Sequence, residues 1–281
     1  MTSFDSAAKR PGHWLALLRK RLLGPAALAL VLLPSVQAQE VFPPSKAATA
    51  ATAATLPAIP EKTTLLTPAH ARWQASLAAF AKADQAQPPA SDGVLFVGSS
   101  SIRMWPRLAD DFRQLPVLIN RGFGGSTLAD CSALARELVI QYKPRQILVY
   151  AGDNDLAEGR SPAEVLESFA SFVRSVRAEL PASRIAYISI KPSPARLALL
   201  ARIRETNTLI AGYAQTLADV RYIDIFSPML NAQGLPRPEL FQGDRLHLNE
   251  AGYQLWQSVI AAHLPAAPAP LPAQEMAVSG P

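Results

Sequence analysis

Three consecutive serines, Ser99-Ser100-Ser101, follow Gly98 directly after the apolar run 94–97. A hydroxyl at a strand-to-helix turn is a candidate nucleophile, because the turn exposes it and helix-terminal amides there favour negative charge. Gly98 permits the tight turn. A serine nucleophile needs a base, and the chain has His13, His70, His247 and His263. Only His247 follows a strand pattern and has an acid, Asp244, in the same polar turn. An aspartate held against Nδ1 leaves Nε2 free to take a serine proton. Acyl transfer also needs donors aimed at a developing oxyanion. The backbone amide of Gly125, in Gly124-Gly125, and the side-chain amide of Asn154 are candidates for that task.

These residue types do not say which serine attacks. One or two of them can simply cap the next helix, whose body includes Ile102 and Trp105. A Gly-x-Ser-x-Gly elbow is absent, since Ile102 stands where its second glycine would be. Phosphate binding by the glycine-rich stretch is disfavoured, because Thr127 occupies the last glycine position of Gly-x-Gly-x-x-Gly counted from Gly122. A calcium loop over 153–159 fails at Ala157, which stands at a ligand position. Asp153 and Asp155 read as loop and cap residues. The single cysteine, Cys131, excludes an intramolecular disulfide and shares an apolar stripe with Leu128, Leu134 and Leu138, so it reads as buried and inert.

Something must bring these groups together. Short apolar runs at 94–97, 117–119, 147–150, 185–190 and 222–226 read as strands, the first three nearly continuous, as for strands covered on both faces. Between them lie helical patterns such as Val165, Phe169, Phe172, Val176 and Leu180, opened by the capping box Ser161-Pro162-Ala163-Glu164. Another helix begins at Asn249 and carries Tyr253, Trp256 and Ile260 on one side. The alternation implies a parallel sheet in an α/β sandwich. Open parallel sheets place their sites beyond the carboxyl ends of the strands. The serine cluster, the stretch 120–126, the cluster 152–155 and the turn 244–247 all fall at that edge. Lys191-Pro192-Ser193-Pro194 follows the fourth strand and is either a further lining of the site or a plain loop.

The rest of the chain has a different character. Residues 1–38 hold Lys9, Arg10, Arg19, Lys20 and Arg21 against Asp5 alone, so most of the chain's net charge of +5 belongs there. A nucleic-acid footprint on the remainder is therefore not supported. The basic residues precede a short apolar run interrupted by Gly24 and Pro25, and Val36-Gln37-Ala38 offers small residues for cleavage. This pattern predicts a signal peptide over 1–38, no stable membrane span after its removal, and a periplasmic or secreted location. Residues 39–67, rich in Ala, Thr and Pro, are expected to form a linker and 264–281 a disordered tail. The folded domain is expected over 68–263.

Four blocks in order across 94–247 resemble the SGNH, or GDSL-type, hydrolase family. They are Gly98-Ser99-Ser100, the stretch 120–126 with Gly125, Gly152-Asp153-Asn154-Asp155, and Asp244-Arg245-Leu246-His247. The resemblance implies a flavodoxin-like three-layer α/β/α sandwich with a mainly parallel five-stranded sheet. It selects Ser100 as nucleophile, with Asp244 and His247 as its partners. It assigns the oxyanion hole to the Ser100 amide, Gly125 and Asn154. It also implies ester hydrolysis without metal or cofactor, on a small-molecule or glycan ester. Ser99 departs from the family pattern, which has aspartate there. Two rival expectations share the fold: an acyltransferase acting on sugar hydroxyls, and a non-catalytic glycan-binding protein.

Overall fold

The computed structural model describes residues 67–264. The expected signal peptide, the linker apart from Thr67, and the tail beyond Leu264 lie outside the described residues. In chain order the elements are α1 (Pro68–Ala86), β1 (Val94–Gly98), α2 (Ser100–Arg103), α3 (Leu108–Asp111), β2 (Leu118–Gly122), α4 (Leu128–Ala133) and α5 (Ala135–Leu138). There follow β3 (Gln146–Tyr150), α6 (Asp153–Ala157), α7 (Pro162–Glu179), β4 (Arg184–Ile188), α8 (Leu200–Gln215), β5 (Val220–Ile223) and α9 (Glu250–Ala261).

The strands form one five-stranded sheet in the order β2-β1-β3-β4-β5, every neighbouring pair parallel. Successive side chains of a strand point to opposite faces. Leu95, Val97, Ile147 and Val149 accordingly enter one core, with Leu128, Leu134, Phe169 and Ile210 from the helices on that side. Val94, Phe96, Leu148 and Tyr150 enter the other, with Ile102, Leu108, Trp256 and Ile260. The result is the three-layer, flavodoxin-like sandwich expected, with a wholly parallel sheet. Phe96 and Phe169 have no exposed surface, and full burial of such a side chain contributes about 1.5–3 kcal/mol. The Ser161–Glu164 capping box forms as expected, the serine hydroxyl accepting the Glu164 amide and the carboxylate accepting the Ser161 amide. Asn249 caps α9 rather than opening it.

β1 and β3 match their sequence-based bounds to within one residue; the other three strands differ by more, each because polar groups redirect the chain. β2 was expected over 117–119 but runs from Leu118 through Asn120 and Arg121 to Gly122. The Arg121 guanidinium is buried there because it pairs with Asp84 of α1 and lies over the rings of Phe80 and Tyr142, at 5.0 and 4.4 Å. β4, expected over 185–190, starts at Arg184 and stops at Ile188. Beyond it the Ile190 amide and carbonyl turn to the Asn207 side chain, at 2.9 and 3.0 Å. β5, expected over 222–226, spans Val220–Ile223. The amides of Ile225 and Phe226 donate instead to the Ser189 hydroxyl, each at 3.0 Å.

Gly98 sets the geometry of the edge that matters. Its φ is +143°, and a Cβ at this position would lie 1.8 Å from the Tyr150 carbonyl oxygen. The β1 chain can therefore pass β3 this closely only as glycine. The next amide, Ser99, donates to that same carbonyl at 2.9 Å.

Candidate active site

The sheet order reverses between β1 and β3, both of which leave the same edge; in such sheets this is the crevice where ligands bind. Ser100 stands there as the first residue of α2, half-buried. Its Oγ lies 3.0 Å from His247 Nε2. The Nδ1 of the same ring lies 2.5 Å from Asp244 Oδ2. Oδ1 of Asp244 accepts the backbone amides of Leu246 and His247, both at 2.9 Å, so the acid folds its own turn as well as facing the imidazole. The hydrogen bond from His247, reinforced by these two amides, holds the Asp244 carboxyl down at about 2.

The loop that carries the histidine is tied at both ends. The Gln242 amide donates to the His247 carbonyl at 2.8 Å, and the Gln242 side chain to the Leu248 carbonyl at 2.8 Å. Arg245 takes φ +60°, and its carbonyl accepts the Ala195 amide at 3.0 Å. Ser99 and Ser101 do not share the geometry of Ser100. Both are buried, and neither hydroxyl has a hydrogen-bond partner among the described residues.

The groups expected to donate to an oxyanion, Ser100, Gly125 and Asn154, line one cleft. Gly125 has φ +84°, and neither its amide nor that of Ser100 donates to a group among the described residues. Asn154, in the first turn of α6, gives one Nδ2 hydrogen to the Ser126 carbonyl at 2.9 Å. Its amide retains a second hydrogen. Ser100, Gly125, Asn154 and His247 line one open cleft of about 450 Å³, together with Ser76, Arg103, Gly124 and Leu246. A larger hollow of about 710 Å³ between α1 and the α5 segment contains neither Ser100 nor His247, so size does not locate the site.

Other polar groups have different employment. His70 bonds to Thr67 and Glu137, at 2.8 and 3.0 Å, and fastens α1. Cys131 is buried, and burial pushes its thiol up. Asp155 caps α4, accepting the Leu128 amide, and burial raises its carboxyl to about 6. Asp153 is not the loop or cap residue expected. It forms a buried ion pair with Lys191 at 2.8 Å, and Lys191 Nζ also reaches the Tyr150 hydroxyl at 3.0 Å. Burial alone would raise the Asp153 carboxyl, but the charge and hydrogen bond of Lys191 outweigh it and lower the group. Lys191 thus braces the end of β3 and is absent from the cleft lining. Sequence reasoning missed Ser76 and Arg103. Ser76 sits on a helix with no fully buried residue and little amphipathic pattern, whereas Arg103 could have been flagged by its place one turn after the serines.

Residues 90–255 match the model of the GDSL-like lipase/acylhydrolase family. The chain belongs to that family. Among curated proteins, no sequence matches this GDSL-like acylhydrolase. Solved structures share its fold. A Streptococcus pneumonia protein described as a platelet activating factor aligns with a TM-score of 0.61 at 20% identity, covering 68% of this chain and 91% of that one. A GDSL-like lipase from Bacteroides thetaiotaomicron aligns with a TM-score of 0.57 at 22% identity, over 66% and 96%. An acetylxylan esterase from Geobacillus stearothermophilus gives 0.52 at 16% identity, over 62% and 94%. In this GDSL-like acylhydrolase Ser99, which is buried, stands where the family pattern has aspartate.

Proposed function

We propose that this acylhydrolase is an exported serine esterase that cleaves carboxylic esters through an acyl-enzyme. The observation that carries the proposal is the chain of contacts Ser100 Oγ to His247 Nε2 to Asp244, at 3.0 and 2.5 Å. A serine hydroxyl is a weak nucleophile unless a base takes its proton as it attacks. His247 Nε2 removes that proton while Oγ bonds to the ester carbonyl carbon. The imidazolium formed is stabilised by Asp244, which stays ionised. The amides of Ser100 and Gly125 and the side chain of Asn154 hold the oxyanion. The intermediate collapses, the alkoxide leaves with the proton from His247, and the acyl group remains on Ser100. Water, deprotonated by His247, then attacks the acyl carbon, and the bond to Ser100 Oγ breaks as that oxygen takes the proton back from His247, releasing the acid.

The basic leader, short apolar run and Ala38 support export, with the mature protein beginning at or close to Gln39. A small-molecule or glycan ester fits an open cleft of about 450 Å³. The test is a panel of acetyl and longer-chain esters incubated with purified protein, with free acid and any transferred acyl product both quantified. Release of free acid that added sugar alcohols do not divert is expected. Acyl transfer to those alcohols at the expense of free acid would make the protein an acyltransferase. Binding of a glycan ester without turnover would make it a glycan-binding protein.

A further inference from the structure

Arg103 is three residues after Ser100, and on a helical turn that spacing places the two side chains on one face. Its main chain is wedged against β2, because a Cβ on Gly122 would lie 2.2 Å from the Arg103 amide nitrogen. Its guanidinium lies along the glycine pair, since a Cβ on Gly124 would meet Nε at 2.7 Å and Nη2 at 3.1 Å. The cation therefore borders the cleft beside Gly125, with Ser100 and His247 lining the same space.

Its charge is uncompensated. Arg72, Arg107, Arg121 and Arg136 each face a carboxylate, whereas Arg103 has no carboxylate or other hydrogen-bond partner among the described residues. The acid beside His247, Asp244, already serves that ring and two amides. Ser76, Asn154 and Leu246 are neutral. With a neutral imidazole, the formal charge lining the cleft is that of Arg103 alone. A planar guanidinium with free donors suits carboxylate or phosphate oxygens, which it can bind in pairs.

Resting on the esterase proposal above, we infer that Arg103 is a specificity residue selecting esters that bear a second, anionic group. That group is a carboxylate or phosphate on the acyl or the alcohol side, close to the scissile bond.

The experiment measures kcat/KM for matched pairs of esters. One pair is 4-nitrophenyl hydrogen succinate and 4-nitrophenyl butyrate, with the anion on the acyl side. The other is 4-acetoxybenzoate and its methyl ester, with the anion on the alcohol side. Wild type is expected to favour the anionic member of at least one pair, which identifies the side. Arg103→Ala is expected to lower that anionic-to-neutral ratio about 10- to 100-fold, as for loss of a hydrogen bond to a charged group. Arg103→Lys should retain part of the preference. Added salt should lower the ratio in wild type and hardly change it in Arg103→Ala. Equal losses for both members of a pair, or no preference and no salt response in wild type, would overturn the inference. The wild-type salt response decides even if Arg103→Ala does not fold. Absence of turnover of every one of these esters by wild type would instead refute the esterase proposal itself.

Discussion

The His247 Nε2 atom lies 3.0 Å from the Ser100 hydroxyl although 147 positions separate the two residues in sequence. β1 delivers the serine, and the loop after β5 delivers the histidine to the same sheet edge. The imidazole orientation depends on Asp244, which bonds its Nδ1 side. Asp244→Asn keeps the shape but presents a donor where an acceptor is needed, favouring the wrong tautomer. The expected result is a large fall in kcat with little change in KM. The corresponding change in a serine protease costs about ten-thousandfold, which sets an upper guide. Wild-type kcat in Asp244→Asn would remove the acid from the mechanism.

Asp244 also fixes how activity should respond to pH. Its folded carboxyl is depressed to about 2, so its favourable contribution is present above its ordinary range near 3.8 and is lost as pH falls toward 2. It stays ionised wherever the enzyme is assayed above about pH 4. A fall in kcat/KM on the acid side above that pH then does not come from Asp244. A pH–rate series should show a single-proton acid limb. A limb requiring two protons in that range would place a second essential group in the site.

The oxyanion donors can be separated by substitution. Asn154→Ala is expected to lower kcat about 100- to 1000-fold, the usual cost of removing one such donor. Gly125→Ala has room for its Cβ, the nearest atom being Trp73 Cη2 at 3.9 Å, but φ is +84°. Its left-handed backbone should therefore cost about 1–2 kcal/mol of stability. If its amide donates to the oxyanion, kcat should fall as well. Steady-state kinetics and denaturant midpoints on both variants check these expectations. An Asn154→Ala enzyme with unchanged kcat would remove that side chain from the oxyanion hole.

The Lys191–Asp153 pair behind the site is a stability element. Removing one partner leaves a buried charge unpaired, so Lys191→Met should cost about 3–5 kcal/mol. Lys191→Met combined with Asp153→Leu should cost less than the sum of the two single changes, because neither charge is then stranded. Urea unfolding of the four proteins gives the coupling directly. Additive losses would mean that the two side chains act independently.

The strands that became visible in the sequence are those whose partners are apolar. β1 and β3 are buried on both faces, and their apolar runs mark them to within one residue. β2 carries Asn120 and Arg121, and Arg121 is accommodated by Asp84, Phe80 and Tyr142, which come from α1 and the segment after α5. No local pattern around Arg121 announces those partners. Ser100, Gly125, Asn154 and His247, which line one cleft, each end or follow a strand pattern, but the choice of Ser100 among three serines came from the family resemblance alone. Ser76 was not readable, because a lone serine acquires meaning only from the cleft it borders, whereas Arg103 was marked only by its place one turn after the serines. The pairing of Lys191 with Asp153 spans 38 positions and has no sequence signature.

The central claim is that the Ser100 hydroxyl, activated by His247, is the atom that attacks the ester. The most direct measurement is treatment of active protein with a fluorophosphonate, proteolysis, and mass-spectrometric mapping of the adduct, alongside Ser100→Ala and His247→Ala. The expected result is one phosphonylated site, Ser100, in wild type, no labelling in Ser100→Ala, and strongly slowed labelling in His247→Ala. An adduct on Ser99 or Ser101, or undiminished esterase turnover by Ser100→Ala, would contradict it.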